Sequence, residues 1–164
     1  MQENSITPFS CVYDSFLVKI TDDMYMELSK DDTYSMLQEL LLNAIPRFEF
    51  PRVNLMNYTL GESNDSQFNS KLTYEEINIL STYMIVEWLG QQLASIENVR
   101  MKYSGSDFKF TSQANHLHKI LQLKRDYERE GFHLQRLYKR RKTTKEGKIV
   151  STISSIMESS FKGD

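Results

Sequence analysis

Apolar residues along this chain recur at helical spacing in most places and lose that spacing in one central stretch. Phe9, Val12, Tyr13, Phe16, Leu17 and Ile20 fall at i, i+3, i+4, i+7, i+8 and i+11, one face of a first helix. Thr7 before Pro8 offers its start, a capping oxygen ahead of a proline at the first helical position. Its end is expected at Ile20-Thr21-Asp22-Asp23, with Met24 to Leu28 readable either as an extended link or as a helical turn. A second helix is predicted from Asp31-Asp32-Thr33, where carboxylates oppose the positive end of the helix dipole, through Leu37, Leu40, Leu41, Ala44 and Ile45. Pro46 or Pro51 stops it, because the residue before a proline is pushed out of helical space.

Residues 47 to 72 follow neither period for long. Phe48 and Phe50 alternate with Arg47 and Glu49, a weak strand signal, and Gly61-Glu62-Ser63-Asn64-Asp65-Ser66 is polar and turn-forming. The segment reads as a long loop or a small hairpin. Thr73-Tyr74-Glu75-Glu76 then forms a capping box, and the helix behind it buries Ile77, Leu80, Met84, Trp88 or Leu89, and Ile96, with Tyr83, Ile85 and Leu93 widening the face. That width predicts a central helix. After a break at Tyr103-Ser104-Gly105-Ser106-Asp107, Ser112 is a candidate cap for a last helix running to about Lys142, roughly 46 Å long at about 1.5 Å per residue. Leu117, Ile120, Leu121, Tyr127, Leu134 and Tyr138 are its packing positions. Lys124-Arg125, Arg129-Glu130-Gly131 and Arg136 thin the stripe, so the far half is expected to project or to meet another subunit. The expected fold is all-α: a small bundle of about four helices with a long C-terminal helix, residues 1 to 142, and a flexible basic and serine-rich tail, residues 143 to 164.

Composition adds one decisive fact, the placement of charge. The 164 residues hold 20 Lys and Arg against 22 Asp and Glu, a net of -2, with 40% apolar residues, which is globular composition. Residues 119 to 148 nevertheless carry 11 basic and 4 acidic side chains, and residues 1 to 118 carry 8 and 16. An acidic body is joined to a basic limb. Arg136, Lys139, Arg140, Arg141 and Lys142, with Lys145 and Lys148, exceed what capping of a helix C-terminus requires and form a candidate contact surface for phosphates or an acidic protein. Ile149, Ile153, Ile156 and Phe161, set among serines, suit a docking peptide or a frayed end.

Enzyme machinery is not legible. The six glycines are scattered, with neither a phosphate-cradling Gly-x-x-x-x-Gly-Lys-Ser/Thr loop nor a Gly-x-Gly-x-x-Gly turn, so no cofactor is expected. His116 and His118 lie about 200° apart on a helix and cannot chelate from one face, and His133 reads as a packing residue. The single cysteine, Cys11, permits no intramolecular disulfide or four-ligand zinc site and reads as a small core or boundary residue. The pairs Asp22-Asp23, Asp31-Asp32 and Glu75-Glu76 are explained by helix starts. The opening Met1-Gln2-Glu3-Asn4 does not resemble a secretory signal, and no run reaches the roughly 18 apolar residues of a membrane span. The expectation is a soluble, intracellular protein with no membrane partner.

One resemblance gathers these phrases. An aromatic-rich short helix, the link Ile20-Thr21-Asp22-Asp23-Met24-Tyr25, a helix ending in Ala44-Ile45-Pro46-Arg47-Phe48, Leu72-Thr73-Tyr74-Glu75-Glu76-Ile77 opening a central helix, and Tyr103-Ser104-Gly105-Ser106-Asp107-Phe108 before a last helix resemble the head-to-tail adaptor (connector or neck) proteins of tailed bacteriophages, over residues 9 to 142. The resemblance implies a structural, non-enzymatic virion protein assembled in the host cytoplasm. It implies a homo-oligomeric, commonly dodecameric ring on the portal, contact with other neck or tail proteins, and non-specific contact with passing DNA. It places portal docking on the limb from Arg136 to Lys148 and the tail from Ile149 to Phe161. The chain departs from compact members in its longer middle segment and basic, serine-rich end. The alternative is a nucleic-acid-binding regulatory protein that uses the basic C-terminal helix, with affinity falling steeply with salt.

Overall fold

The computed structural model describes residues 6–20, 30–61, 65–102, 110–143 and 149–151. Four helices dominate them: α1 (Ser10–Leu17), α2 (Lys30–Ala44), α3 (Tyr74–Lys102) and α4 (Phe110–Arg140). Between α2 and α3 lie a 3-10 turn (Ile45–Arg47) and a small antiparallel sheet of β1 (Thr7–Pro8), β2 (Tyr58–Thr59) and β3 (Gln67–Phe68), ordered β1-β3-β2. After α4, β4 (Arg141–Thr143) and β5 (Ile149–Ser151) form an antiparallel ribbon across the 142/143 boundary. The fold is mostly helical, as the apolar periods imply.

α3 is the central element. Every residue from Ile79 to Val86 is buried, and α1, α2 and α4 all pack on it. Its capping box forms: the Thr73 N–H donates to Glu76 Oε2 at 2.7 Å, and the Glu76 N–H donates to Thr73 Oγ1 at 3.3 Å. Phe9, Val12, Tyr13 and Phe16 bury one face of α1, and Leu37, Leu40, Leu41 and Ala44 bury one face of α2. Both faces have the spacing legible in the sequence, except that Leu17, expected on the buried face of α1, is exposed: it lies at the last residue of the helix, turned away from α3.

The start of α1 differs from expectation. Thr7 and Pro8 belong to β1, opposite Phe68 and Gln67, and Phe9 is the N-cap without a side-chain cap bond. Thr7 Oγ1 instead accepts the Leu72 N–H at 2.8 Å, a buried donor just ahead of α3. Proline is tolerated there because β1 is an edge strand. α1 also ends sooner, at Leu17, and Lys19 closes it onto α3: its ammonium donates to Asn78 Oδ1 (2.8 Å), Ser81 Oγ (2.7 Å) and Thr82 Oγ1 (3.1 Å). Burial lowers the Lys19 pKa against the opposing pull of Glu130.

The middle segment is the hairpin reading, with β1 as a third strand. Phe48 and Phe50 lie in no strand; Phe48 is buried, and Phe50 is exposed. Pro46 ends α2 through the 3-10 turn.

The last helix departs from expectation in both bounds and in which half is packed. Ser112 lies inside α4, not at its cap, and Lys142 lies in β4. The far half packs on the core: Gly131, Gln135 and Tyr138 are buried, whereas Leu121 and Leu123 in the near half are exposed. Antiparallel pairing with α3 explains this. Tyr138 meets Glu76, Gly131 meets Tyr83, and Gly90 meets Lys124, so the C-terminal half of α4 lies beside the half of α3 that α1 and α2 enclose. Cys11 and His133, expected as packing or boundary residues, are both exposed. Met24 to Leu28, Asp22-Asp23, the Tyr103 to Asp107 break, and the tail at 144–148 and 152–164 lie outside the described residues.

Candidate interaction surface

The basic limb is held at its root by a buried polar network. Tyr138, on the inner face of α4, donates its hydroxyl to Glu76 Oε1 at 2.5 Å and accepts the Arg52 N–H at 3.1 Å. The Glu76 carboxylate thereby serves the α3 cap with one oxygen and α4 with the other. Burial, then the bond to Glu76, drives the Tyr138 pKa upward. Arg52 stacks its guanidinium 4.0 Å from the centre of the Tyr138 ring and donates to the carbonyls of Tyr138 (2.8 Å) and Arg141. The first carbonyl belongs to the last turn of α4 and the second to the residue that follows it, so the loop arginine satisfies an acceptor that a helix terminus leaves open.

One turn earlier, Gln135 fastens the same loop. Its Nε2 donates to the Arg47 carbonyl at 2.9 Å and to the Tyr83 hydroxyl, while its Oε1 accepts the Glu49 N–H at 2.8 Å. Arg141 pairs with Glu75 at 2.5 Å, tying the first residue of β4 to the first turn of α3. The ribbon follows: Arg141, Lys142 and Thr143 pair with Ser151, Val150 and Ile149. The limb therefore leaves the bundle from a fixed point.

The cations have different surroundings. Lys139 lies over the Phe50 ring at 4.1 Å, Arg136 approaches Phe132 at 6.0 Å, and Arg136, Lys139 and Arg140 are all exposed. Of the remaining candidates, Lys142 and Ile149 are placed by their backbone pairing, and Lys145, Lys148, Ile153, Ile156 and Phe161 lie outside the described residues. Comparison with known protein families, with curated proteins and with solved structures returns no match. Among the described residues, no three His, Cys, Asp or Glu side chains are placed to hold a metal, and no helix is long and apolar enough to cross a membrane.

Two surface features escape a reading of charge alone. A cleft of about 200 Å³ between the start of α3 and the end of α4 is floored by Ile79, Leu134 and Leu137 and rimmed by Tyr74 and the Glu75–Arg141 pair. Farther up α4 an open groove of about 590 Å³ is lined by Arg125, Glu128, Arg129 and Phe132, with the Phe132 side chain 53% exposed. Its signal was present in the sequence: Arg125, Arg129, Phe132 and Arg136 fall at i, i+4, i+7 and i+11. The aliphatic stripe on the buried side of the same helix masked it.

Proposed function

We propose that this protein is a structural component of a tailed-phage virion, a head-to-tail adaptor that joins a ring on the portal and leaves an axial path for the genome. The observation that carries the reading is the anchored basic limb. Glu75, Glu76, Arg52 and Tyr138 fix the end of α4, and a two-stranded ribbon continues from it with Lys139, Arg140 and Arg141 at its base. Such a limb fits a segment that grips another protein, because a preorganised root lowers the ordering cost of docking. The order of helices and the phrases that open them support the same reading.

The limb suits a protein partner better than bare phosphate. Arg141 is neutralised by Glu75, and Lys139 is committed to the face of Phe50. The decisive experiment co-expresses the chain with the portal protein of the same virus and follows the complex by light scattering and negative-stain microscopy. A ring seated on the portal is expected. A chain that joins neither the portal nor the virion overturns the reading; a monomer in isolation does not, since adaptors can assemble only on their partner.

A further inference from the structure

The two flanks of the bundle differ in a way that bears on how copies meet. On α4, Gly131, Gln135 and Tyr138 face α3. Glu130 lies on one side of that line, close enough to Lys19 at the foot of α1 for its charge to act there. Phe132, two residues on, lies about 200° away around the helix. The Arg125, Arg129, Phe132 and Arg136 stripe is therefore on the flank remote from α1.

The outward face of α1 is the chemical complement of that stripe. Asp14 is exposed there, with Leu17 36% exposed and Val18 just beyond it 88% exposed, the most open aliphatic side chain described. The stripe offers arginines around an exposed aromatic ring. Arginine and phenylalanine around a groove are the composition of a protein contact, in which the ring is buried and the guanidinium meets a carboxylate. Phosphate binding fits less well, because Asp126 already pairs with Arg129, and Glu128 lines the groove.

We infer that the α4 stripe of one copy receives the outward face of α1 from a second copy, with Asp14 against Arg125 and with Leu17 and Val18 against Phe132. Since the two faces occupy opposite flanks, the contact is head-to-tail and repeats from copy to copy, which produces a closed ring or an open filament and not a two-fold dimer. The inference rests on the adaptor reading for closure into a ring, and on the two surfaces alone for which faces meet.

The single cysteine supplies the test, because Cys11 is exposed on α1. Phe132→Cys and Arg136→Cys are introduced separately into the full chain, which is oxidised at high concentration and, in parallel, with the portal. Either variant is expected to produce a ladder of covalent dimers, trimers and higher species that vanishes on Cys11→Ser, on Val18→Lys, and on Arg125→Glu with Arg129→Glu. Lys119→Cys, on the α1-facing flank, is expected to give no ladder. Absence of a ladder from both stripe variants overturns the inference, as does a product limited to dimers. So does a stripe whose charge reversal abolishes retention of DNA at low salt while no ladder forms, which would assign it to a polyanion. A ladder without portal capture leaves this contact standing and removes the adaptor reading; portal capture without a ladder does the reverse.

Discussion

The Tyr138 hydroxyl donates to Glu76 Oε1 at 2.5 Å, and through that one bond the end of α4 is locked to the start of α3. Glu76 is 1% exposed and Tyr138 is 2% exposed, so neither group has water to fall back on. Tyr138→Phe keeps the ring and its stacking with Arg52 but leaves a buried carboxylate oxygen and the Arg52 N–H short of a partner. The expected cost is about 1–3 kcal/mol of stability, measured by urea or thermal unfolding. Glu76→Gln should cost a comparable amount, since Tyr138 donates to one carboxylate oxygen and Thr73 to the other, and the single amide oxygen can replace only one of them while the amide nitrogen faces a donor.

Glycines at two helical positions should respond in opposite directions to the same substitution. A Cβ on Gly131 would stand 2.8 Å from Tyr83 Cζ, on a ring that Gln135 holds in place, whereas a Cβ on Gly90 would meet only the Lys124 Cε at 3.7 Å. Gly131→Ala is expected to destabilise by about 1–3 kcal/mol through overpacking. Gly90→Ala should stabilise by up to about 1 kcal/mol, because alanine loses less backbone entropy in a helix. Equal effects in a melting experiment would show that α3 and α4 do not pack in this register.

The same pairing explains what could be read from the sequence alone and what could not. The capping box at Thr73 and Glu76 and the core faces of α1 and α2 are local, and local spacing located them. Thr7 was misleading because its hydroxyl serves Leu72, a partner 65 residues away that no capping rule contains. The burial of α4's far half was hidden for a similar reason: the residues at that contact are Gly131, Gln135 and Tyr138, and two of these do not register as apolar. The candidate limb was legible as charge, but its root was not, since Arg52 and Glu76 are brought together only by the tertiary fold. Thr7→Val tests the first point, with an expected loss of about 1–3 kcal/mol from the buried, unpaired Leu72 N–H.

High pH should unfold the protein through buried phenols. Burial raises the pKa of Tyr13 and, partly offset by the Gln135 bond, that of Tyr83; burial and the Glu76 bond raise that of Tyr138. Above about pH 10, the ordinary tyrosine value, the unfolded chain releases protons that the native state retains, so stability falls as pH rises. Each retained proton contributes a slope of up to about 1.4 kcal/mol per pH unit. Lys19 acts with the opposite sign: its lowered pKa makes stability rise with pH up to its unfolded value of about 10.4, beyond which its contribution is level. Melting temperature against pH should therefore turn downward above about pH 10. Tyr13→Phe should flatten that fall.

Charge reversal at the end of α4 should separate assembly from folding, and the two arginines there should not behave alike. Arg141 pairs with Glu75 across partly exposed side chains, a contact whose worth in water is about 0.2–1 kcal/mol. Arg141→Glu places two carboxylates face to face at the root of the ribbon, so a small drop in melting temperature should accompany loss of portal capture. Glu75→Arg in the same chain restores the pair with its polarity exchanged and should recover the melting temperature. If capture returns with it, the role of Arg141 is to aim the ribbon; if capture stays lost, its charge meets the partner directly. Arg140→Glu, one residue earlier and outside the Glu75 pair, serves as the comparison. Its predicted signature is impaired capture that Glu75→Arg does not restore. A variant with both reversals that still joined the portal at parental yield would remove the limb from the docking surface altogether.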